Sequence, residues 1–197
     1  LARNPKSKAA FENADHLFGK VPMTWMNKKA GGFPIYLDRA IGNRIWDIDG
    51  NEYIDFNMGI GPLSLGYCIP EIDAAIKEQL EDGITFSLMH PLEVEVAEKI
   101  SQIIPNAEAV KFSKTGADVT SAAVRVARAF TGREKVFCCG YHGWHDWYIG
   151  ITSRGKGIPE SIKNLSYTFA FNDIESIKNA LDETVACVIL EPFIFEK

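Results

Sequence analysis

The amino-acid sequence predicts an α/β protein with a mostly parallel sheet. Residues 110–190 alternate short apolar runs with helix-period segments, the pattern of strands joined by crossover helices. The last run, Val185 to Leu190, is almost wholly apolar, as a parallel strand covered on both faces requires. The strand ends lead into short polar or glycine-containing turns, where open α/β sheets place their ligands.

The elements follow in order. Residues 1–35 show no clear periodicity, and Phe18 to Trp25 is apolar and irregular. Arg44 to Phe56 reads as a hairpin: Trp46 and Ile48 alternate with Asp47 and Asp49, Asp49-Gly50-Asn51 turns, and Tyr53 to Phe56 returns. Asn57 to Gly66 is a glycine-rich loop. Pro70 opens a helix through Leu80, with Ile72, Ala75, Ile76 and Leu80 on one face and Gly83 ending it. A second helix runs from Pro91 to about Ile104, with Val96, Ala97, Ile100 and Ile104 inward and Pro105 after it.

Then the alternation begins. Val110 and Phe112 suggest a strand near 110–112. A helix over 116–130 follows, with an apolar stripe at 119, 122, 123, 126, 127 and 130 and with Arg125 and Arg128 off it. Thr115 and Asp118 have capping-box spacing, and Gly132 stops the helix. A strand near 136–139, a looser segment, a strand near 167–169, a helix over 173–181 capped by Asn172 and the strand over 185–190 complete the series. The domain boundary falls near 105.

Composition is that of an ordinary globular chain: of 197 residues, 46% are hydrophobic and 24% charged, with net charge −5. Lys and Arg are scattered, so no basic block marks a nucleic-acid or membrane surface. No apolar run approaches a membrane span, and the first twenty residues are too polar for a signal peptide. The four cysteines lack framework spacing and read as free thiols in a reducing cytoplasm, with Cys138 and Cys139 on opposite faces of a strand. The chain starts at Leu1 and stops at Lys197 after an apolar stretch, and we read both ends as cut.

Three strand ends carry distinctive residues: Ser113-Lys114-Thr115-Gly116, Gly140-Tyr141-His142-Gly143 and Glu191-Pro192. The first opens a helix whose N-terminal N–H groups and positive dipole end suit a phosphate. An anion cradle, an aromatic between glycines and a carboxylate together suit a flat, phosphorylated, aromatic cofactor. His142 and His145, spaced i to i+3 with Asp146 beside them, could suggest a metal, but no third well-placed ligand follows, and no metal site is assigned. Trp144 and Trp147 read as packing for the loop.

In Thr115-Gly116-Ala117-Asp118, the run over 122–135 and Gly140-Tyr141-His142-Gly143, the chain resembles the class III pyridoxal-phosphate aminotransferases, nearest the glutamate-1-semialdehyde aminomutase-like branch. Asp47 to Phe56, Gly61-Pro62 and Leu65-Gly66 match the family's N-terminal hairpin and loop in order and spacing. The resemblance covers roughly residues 17–192. It implies a fold-type I PLP-dependent transferase. Residues 1–105 would be an N-terminal segment, and 106–197 the first part of the cofactor-binding α/β domain, truncated before the catalytic lysine.

At matched positions it implies that Thr115, Gly116 and Ala117 hold the phosphate of pyridoxal 5'-phosphate. Tyr141 would stack on the pyridine ring, with His142 near the site, and Glu191 would stand beside the ring. Ile60 and Gly61 would lie in the substrate-facing loop. The family's Schiff-base lysine and the aspartate that pairs the ring nitrogen come after the Glu191-Pro192 strand end, so this chain alone is expected to have no turnover. Ala117 replaces a usual Thr, Asp118 a usual Glu, and Ile60 stands where aminomutases tend to have Trp.

The implied activity is amino transfer between a small-molecule amino donor and a keto acid or aldehyde, by a cytoplasmic enzyme. Three alternatives stay open: the 2,1-aminomutase, a non-catalytic relative, and a nucleotide-binding α/β module, the last disfavoured because no G-x-G-x-x-G follows a strand. The resemblance also implies a homodimer with its cofactor sites at the interface. Independent support comes from Ile60, Pro62, Leu63 and Leu65 in the 57–66 loop and from Val21, Met23 and Trp25, which form apolar patches.

Overall fold

A computed structural model describes residues 3–23, 26 and 32–193. The chain divides into two compact units, one ending at His90 and the other starting at Pro91. This places the helix that follows Pro91 in the second unit, ahead of the position near 105 that the first strand-like run suggests.

The first unit is an antiparallel sheet with helices. Strands β1 (Leu37–Ile41), β2 (Arg44–Asp47) and β3 (Glu52–Ile54) lie in the order β1-β2-β3. The hairpin read from the sequence is β2 and β3, paired Arg44 with Ile54 and Trp46 with Glu52. Strand β1 is an addition to it. So is helix α1 (Pro5–Glu12), in a region without apolar periodicity. Its Asn4 N-cap makes no side-chain cap. Instead Asp49, in the hairpin turn, accepts from the Lys6 and Ser7 N–H groups at 2.7 and 2.9 Å. The helix therefore depends on a tertiary contact that no local pattern encodes.

Asp47 is the buried centre of this clasp. Its carboxylate accepts from Asn51 N, Tyr53 OH and Asn4 Nδ2 at 2.7, 2.9 and 2.6 Å. Burial pushes its pKa up, but hydrogen bonds from Asn51, Tyr53 and the Asp49 N–H outweigh burial and leave it lowered.

The loop after β3 is tied at both ends. Asp55 accepts from the Asn57 and Met58 N–H groups and from Tyr67 OH. Gly66 runs against Gly42, where an added Cβ would lie 2.9 Å from the Gly42 carbonyl oxygen. Helix α2 (Pro70–Asp82) follows, and its Ile72, Ile76 and Leu80 face is exposed rather than covered by described residues.

The second unit begins with helix α3 (Pro91–Ile103), which also has no buried residue; Val96 and Ile104, read as inward, are exposed. Residues 110–113 form no strand. A strand needs a ladder partner, and none of the described strands pairs with this segment.

Helix α4 (Gly116–Thr131) has the predicted capping box and ends on Gly132 in the left-handed conformation. Its covered face differs from the predicted stripe. Ala117 and Val124 are buried, whereas Val119, Val126 and Phe130 are exposed. The helix is apolar on two sides, and the side without bulky Phe130 meets its own sheet.

That sheet is parallel, in the order β5-β4-β6, from β4 (Lys135–Cys139), β5 (Ser166–Thr168) and β6 (Val185–Leu190). Val136 and Cys138 point to one face, where they pack with Val124, Trp147 and Tyr148. Phe137 points to the other, with Ile177 and Val185. Burial pushes the Cys138 thiol up to about 12, so it behaves as a small apolar side chain.

The segment between β4 and β5 holds two short helices, α5 (Asp146–Ile149) and α6 (Glu160–Lys163). The last helix, α7, is only Glu175–Lys178, and Asn172 does not cap it. Asn172 has φ 58°, and Asp173 Oδ1 accepts from the Glu175 and Ser176 N–H groups. Among the described residues no helix is long and apolar enough to cross a membrane.

Candidate functional site

The start of α4 supplies the first part of the site. Thr115 Oγ1 accepts from Asp118 N at 3.2 Å, and Asp118 Oδ2 accepts from both Thr115 N and Thr115 Oγ1, at 3.0 and 2.8 Å. The Val119 N–H reaches the Thr115 carbonyl. Two first-turn donors remain, the N–H groups of Gly116 and Ala117. Neither has a partner among the described residues, and the space where a Gly116 Cβ would lie is open. Unpaired donors at the positive end of a four-turn helix can take an anion.

The turn after β4 supplies the second part and lies directly against the first. A Cβ on Gly143, at φ 102°, would stand 2.6 Å from the Ala117 Cβ. The close approach requires glycine at 143 and leaves no room for a larger side chain on the buried Ala117 face. Thr120 Oγ1 donates to the His142 carbonyl at 2.8 Å, a second tie between α4 and this turn.

Tyr141 and His142 are neighbours with opposite fates. The Tyr141 ring is 62% exposed, resting edge-on against Tyr148. One ring face is open for stacking. His142 is 5% exposed, and its ring points into the core beside Trp147 and Tyr148. Its Nε2 lies 3.0 Å from the Cys139 carbonyl, an oxygen that only accepts, so Nε2 carries the hydrogen and braces the turn. Tyr148 OH donates to the Gly140 carbonyl at 3.0 Å, a third brace. Burial, then the neighbouring Cys138, Tyr141 and Glu191, hold the Tyr148 pKa above its ordinary value.

Glu191 supplies the third part. It leaves β6 with its N–H on the Cys139 carbonyl, at 3.1 Å. Its side chain folds over Gly140, occupying the place a Cβ there would need, and Oε2 accepts from the Tyr141 N–H at 2.9 Å. The register Cys139 opposite Leu190 brings these two strand ends level.

The structure thus brings together Thr115, Gly116, Ala117, Tyr141, His142 and Glu191, with the His142 ring turned inward. The sequence reading missed Thr120, Tyr148 and Gly143 as supports. Gly143 was legible as a glycine two residues after an aromatic, but its reason, Ala117, lies on another element. Ile60 and Gly61 sit in a tight turn of the other unit, with Ile60 at φ 63° and exposed. A β-branched residue there is strained. Trp147 packs in the core, while Trp144 is exposed. Among the described residues no group of three or more His, Cys, Asp or Glu could hold a metal ion.

An anion seat, an open aromatic face and a tethered carboxylate at the ends of a parallel sheet fit a flat, phosphorylated ring, and the fold is that of solved transaminases. A transaminase with PLP bound matches 96% of this chain and 48% of its own, at 29% identity and TM-score 0.87. The chain belongs to the class-III aminotransferase family, whose model matches residues 25–196.

Among curated relatives it is 40% identical over 166 residues to 3-aminobutyryl-CoA aminotransferase of Cloacimonas acidaminovorans, covering 82% of this chain and 39% of that protein. It is 38% identical over 203 residues to glutamate-1-semialdehyde 2,1-aminomutase of Sulfurihydrogenibium azorense, covering 95% and 48%. The chain spans less than half the length of these relatives.

Proposed function

We propose that the whole protein is a PLP-dependent aminotransferase that moves an amino group between a small-molecule amino donor and a keto acid or aldehyde. In this reading residues 106–197 are the first part of its cofactor-binding domain. The observation that carries it is the meeting of the unpaired Gly116 and Ala117 N–H groups, the open Tyr141 ring and the Glu191 carboxylate.

When bound, pyridoxal 5'-phosphate supplies an electron sink for loss of a proton from the substrate Cα. This chain's residues hold and orient it. Gly116 and Ala117 donate to phosphate oxygens, with Thr115 shaping the helix start. Tyr141 stacks on the ring, and Glu191 stands beside it, fixed by the Tyr141 N–H. His142 and Tyr148 keep the turn from yielding. No lysine of this chain is assigned the Schiff-base role. Ile60 and Gly61 face the substrate, and the strained Ile60 backbone supports that placement.

The aminomutase reading has support from the relative in Sulfurihydrogenibium azorense. Ile60, where aminomutases tend to have Trp, favours transfer. The enzyme is a cytoplasmic homodimer with residues 57–66 at or near the interface. Exposed Ile60 and Leu65 support this, as does exposed Met23; Val21 is buried, and Trp25 lies outside the described residues.

Titrating the full-length protein with PLP, by absorbance and fluorescence, tests the cofactor assignment. Tyr141→Ala should weaken retention by about 1 kcal/mol, the worth of an aromatic stack. Unchanged retention would make Tyr141 structural. Light scattering of the full-length protein should give a dimer, and a monodisperse monomer would count against the interface.

A further inference from the structure

Asp118 sets a problem for the anion seat. Its carboxylate completes the cap of α4, yet it places a negative charge one residue beyond the two donors that would take a phosphate. Helix dipole and anion favour each other, but two anions at one helix start repel. The structure holds a polar partner for that carboxylate nearby. His145 Nε2 stands 3.7 Å from Asp118 Oδ1, the oxygen that Thr115 does not use. At this distance the contact is a polar one, longer than a hydrogen bond. Both side chains are about one-third exposed, at 31% and 35%.

The imidazole is held from its other side. His145 Nδ1 lies 2.8 Å from Ser121 Oγ, one turn along α4. The buried Trp147 donates its Nε1–H to the same oxygen at 2.9 Å. Ser121 has one hydrogen and two lone pairs. Trp147 fills one lone pair, so giving the Ser121 hydrogen to Nδ1 satisfies the hydroxyl fully. The imidazole hydrogen then sits on Nε2, on the side of Asp118. The other tautomer would leave the Ser121 hydrogen without a described acceptor and turn a bare nitrogen lone pair toward a carboxylate. The His145 carbonyl, meanwhile, accepts from the Tyr148 and Ile149 N–H groups at 3.0 and 2.9 Å, so the backbone beneath the ring is anchored too.

We propose that His145 is a positioning residue for the phosphate-facing start of α4, its Nε2–H dipole facing Asp118 Oδ1 and holding the carboxylate back against the Thr115 cap. The proposal rests on the cofactor reading above and names the residue that makes its anion seat work. His145 touches no reacting atom in this scheme. It acts through Asp118, and its own orientation comes from Ser121 and Trp147.

A double-mutant cycle in the full-length protein tests it. The PLP dissociation constant is measured by fluorescence, and the 31P chemical shift of the bound phosphate is recorded for wild type, His145→Ala, Asp118→Asn and the double variant. His145→Ala should weaken PLP binding about threefold, the scale of a modest polar contact to a charged group, and move the 31P signal. On the Asp118→Asn background the same change should cost no more than about 1.5-fold, because no carboxylate is left for the imidazole to hold.

His145→Gln, which restores a donor toward Asp118, should recover most of the wild-type affinity. If His145→Ala does not fold, His145→Phe runs the cycle with the ring's bulk kept and both nitrogens gone. An equal loss on both backgrounds would overturn the proposal and reduce His145 to packing, as would no loss on either. A wild-type protein that binds no PLP would instead overturn the cofactor reading, and this proposal with it.

Discussion

Two helix starts in this molecule solve the same problem in opposite ways. Each begins with N–H groups that have no partner inside the helix, and each uses an aspartate to answer them. At α1 the aspartate comes from outside. Pro5 has no N–H, Asp49 takes Lys6 and Ser7 from the hairpin turn, and Lys8 reaches the Asn4 carbonyl. Every donor of the first turn is consumed. At α4 the aspartate is local. Asp118 and Thr115 cap each other and leave Gly116 and Ala117 free. One helix start is closed and serves as a fastening. The other is half open and can serve a ligand.

The largest expected effect breaks the closed end. Asp47→Ala should strand partly buried donors on Asn51, Tyr53 and Asn4, and destabilise the protein by about 3 kcal/mol in urea unfolding. A loss below half of that would mean the clasp around α1 is ornamental.

The next breaks the open end. Gly143→Ala sets a Cβ against Ala117 at a positive φ, and should cost about 2 kcal/mol of stability together with PLP retention. Stability lost with retention intact would separate the turn from the seat.

Thr115→Ala sharpens the contrast. It removes a local cap worth about 1 kcal/mol, and should leave amide exchange at Lys6 and Ser7 unchanged.

Smallest is the response to acid. Burial pushes the Asp49 carboxyl up, but the Ser7 and Lys6 N–H groups outweigh it and hold its pKa below the ordinary 3.8. A lowered folded pKa contributes stability that is complete above the unfolded value and is lost as pH falls through the folded one. Exchange protection at Lys6 and Ser7 should therefore hold above pH 3.8 and decline below it. Protection that declines well above that pH would contradict the Asp49 fastening.

The same contrast explains what the sequence made legible. The α4 cap is written in two residues three apart, and the glycine stop in one, so both are readable locally. The α1 cap lies 42 residues from the Ser7 N–H it serves, and no window sees it. Apolar periodicity located α2, α3 and α4, but it could not say which face a neighbour covers, and in α4 it favoured Val126 and Phe130 over the buried Val124. The run at 110–112 shows the same limit, since apolar character makes a strand only beside a ladder partner.

At the site, strand ends and glycines pointed to Tyr141 and Glu191. The inward turn of the His142 ring depends on Trp147 and Tyr148, whose packing no spacing reveals. The Asp118–His145–Ser121 chain was half visible. His145 stood out as a spacing to His142, whereas its partners sit on another helix.

The level ends of β4 and β6 act as a ruler. With Cys139 opposite Leu190, Gly140 and Glu191 emerge side by side. A residue deleted within 136–139 or 185–190 would shift one strand by about 3.3 Å and turn its outgoing side chain to the opposite face. Glu191 would then point away from Tyr141, although every residue of the site was still present. Changes of length at the opposite ends of these strands, in the turns before Lys135 or Val185, leave the ruler untouched. Insertions and deletions should therefore be tolerated at one end of this sheet and disabling within it.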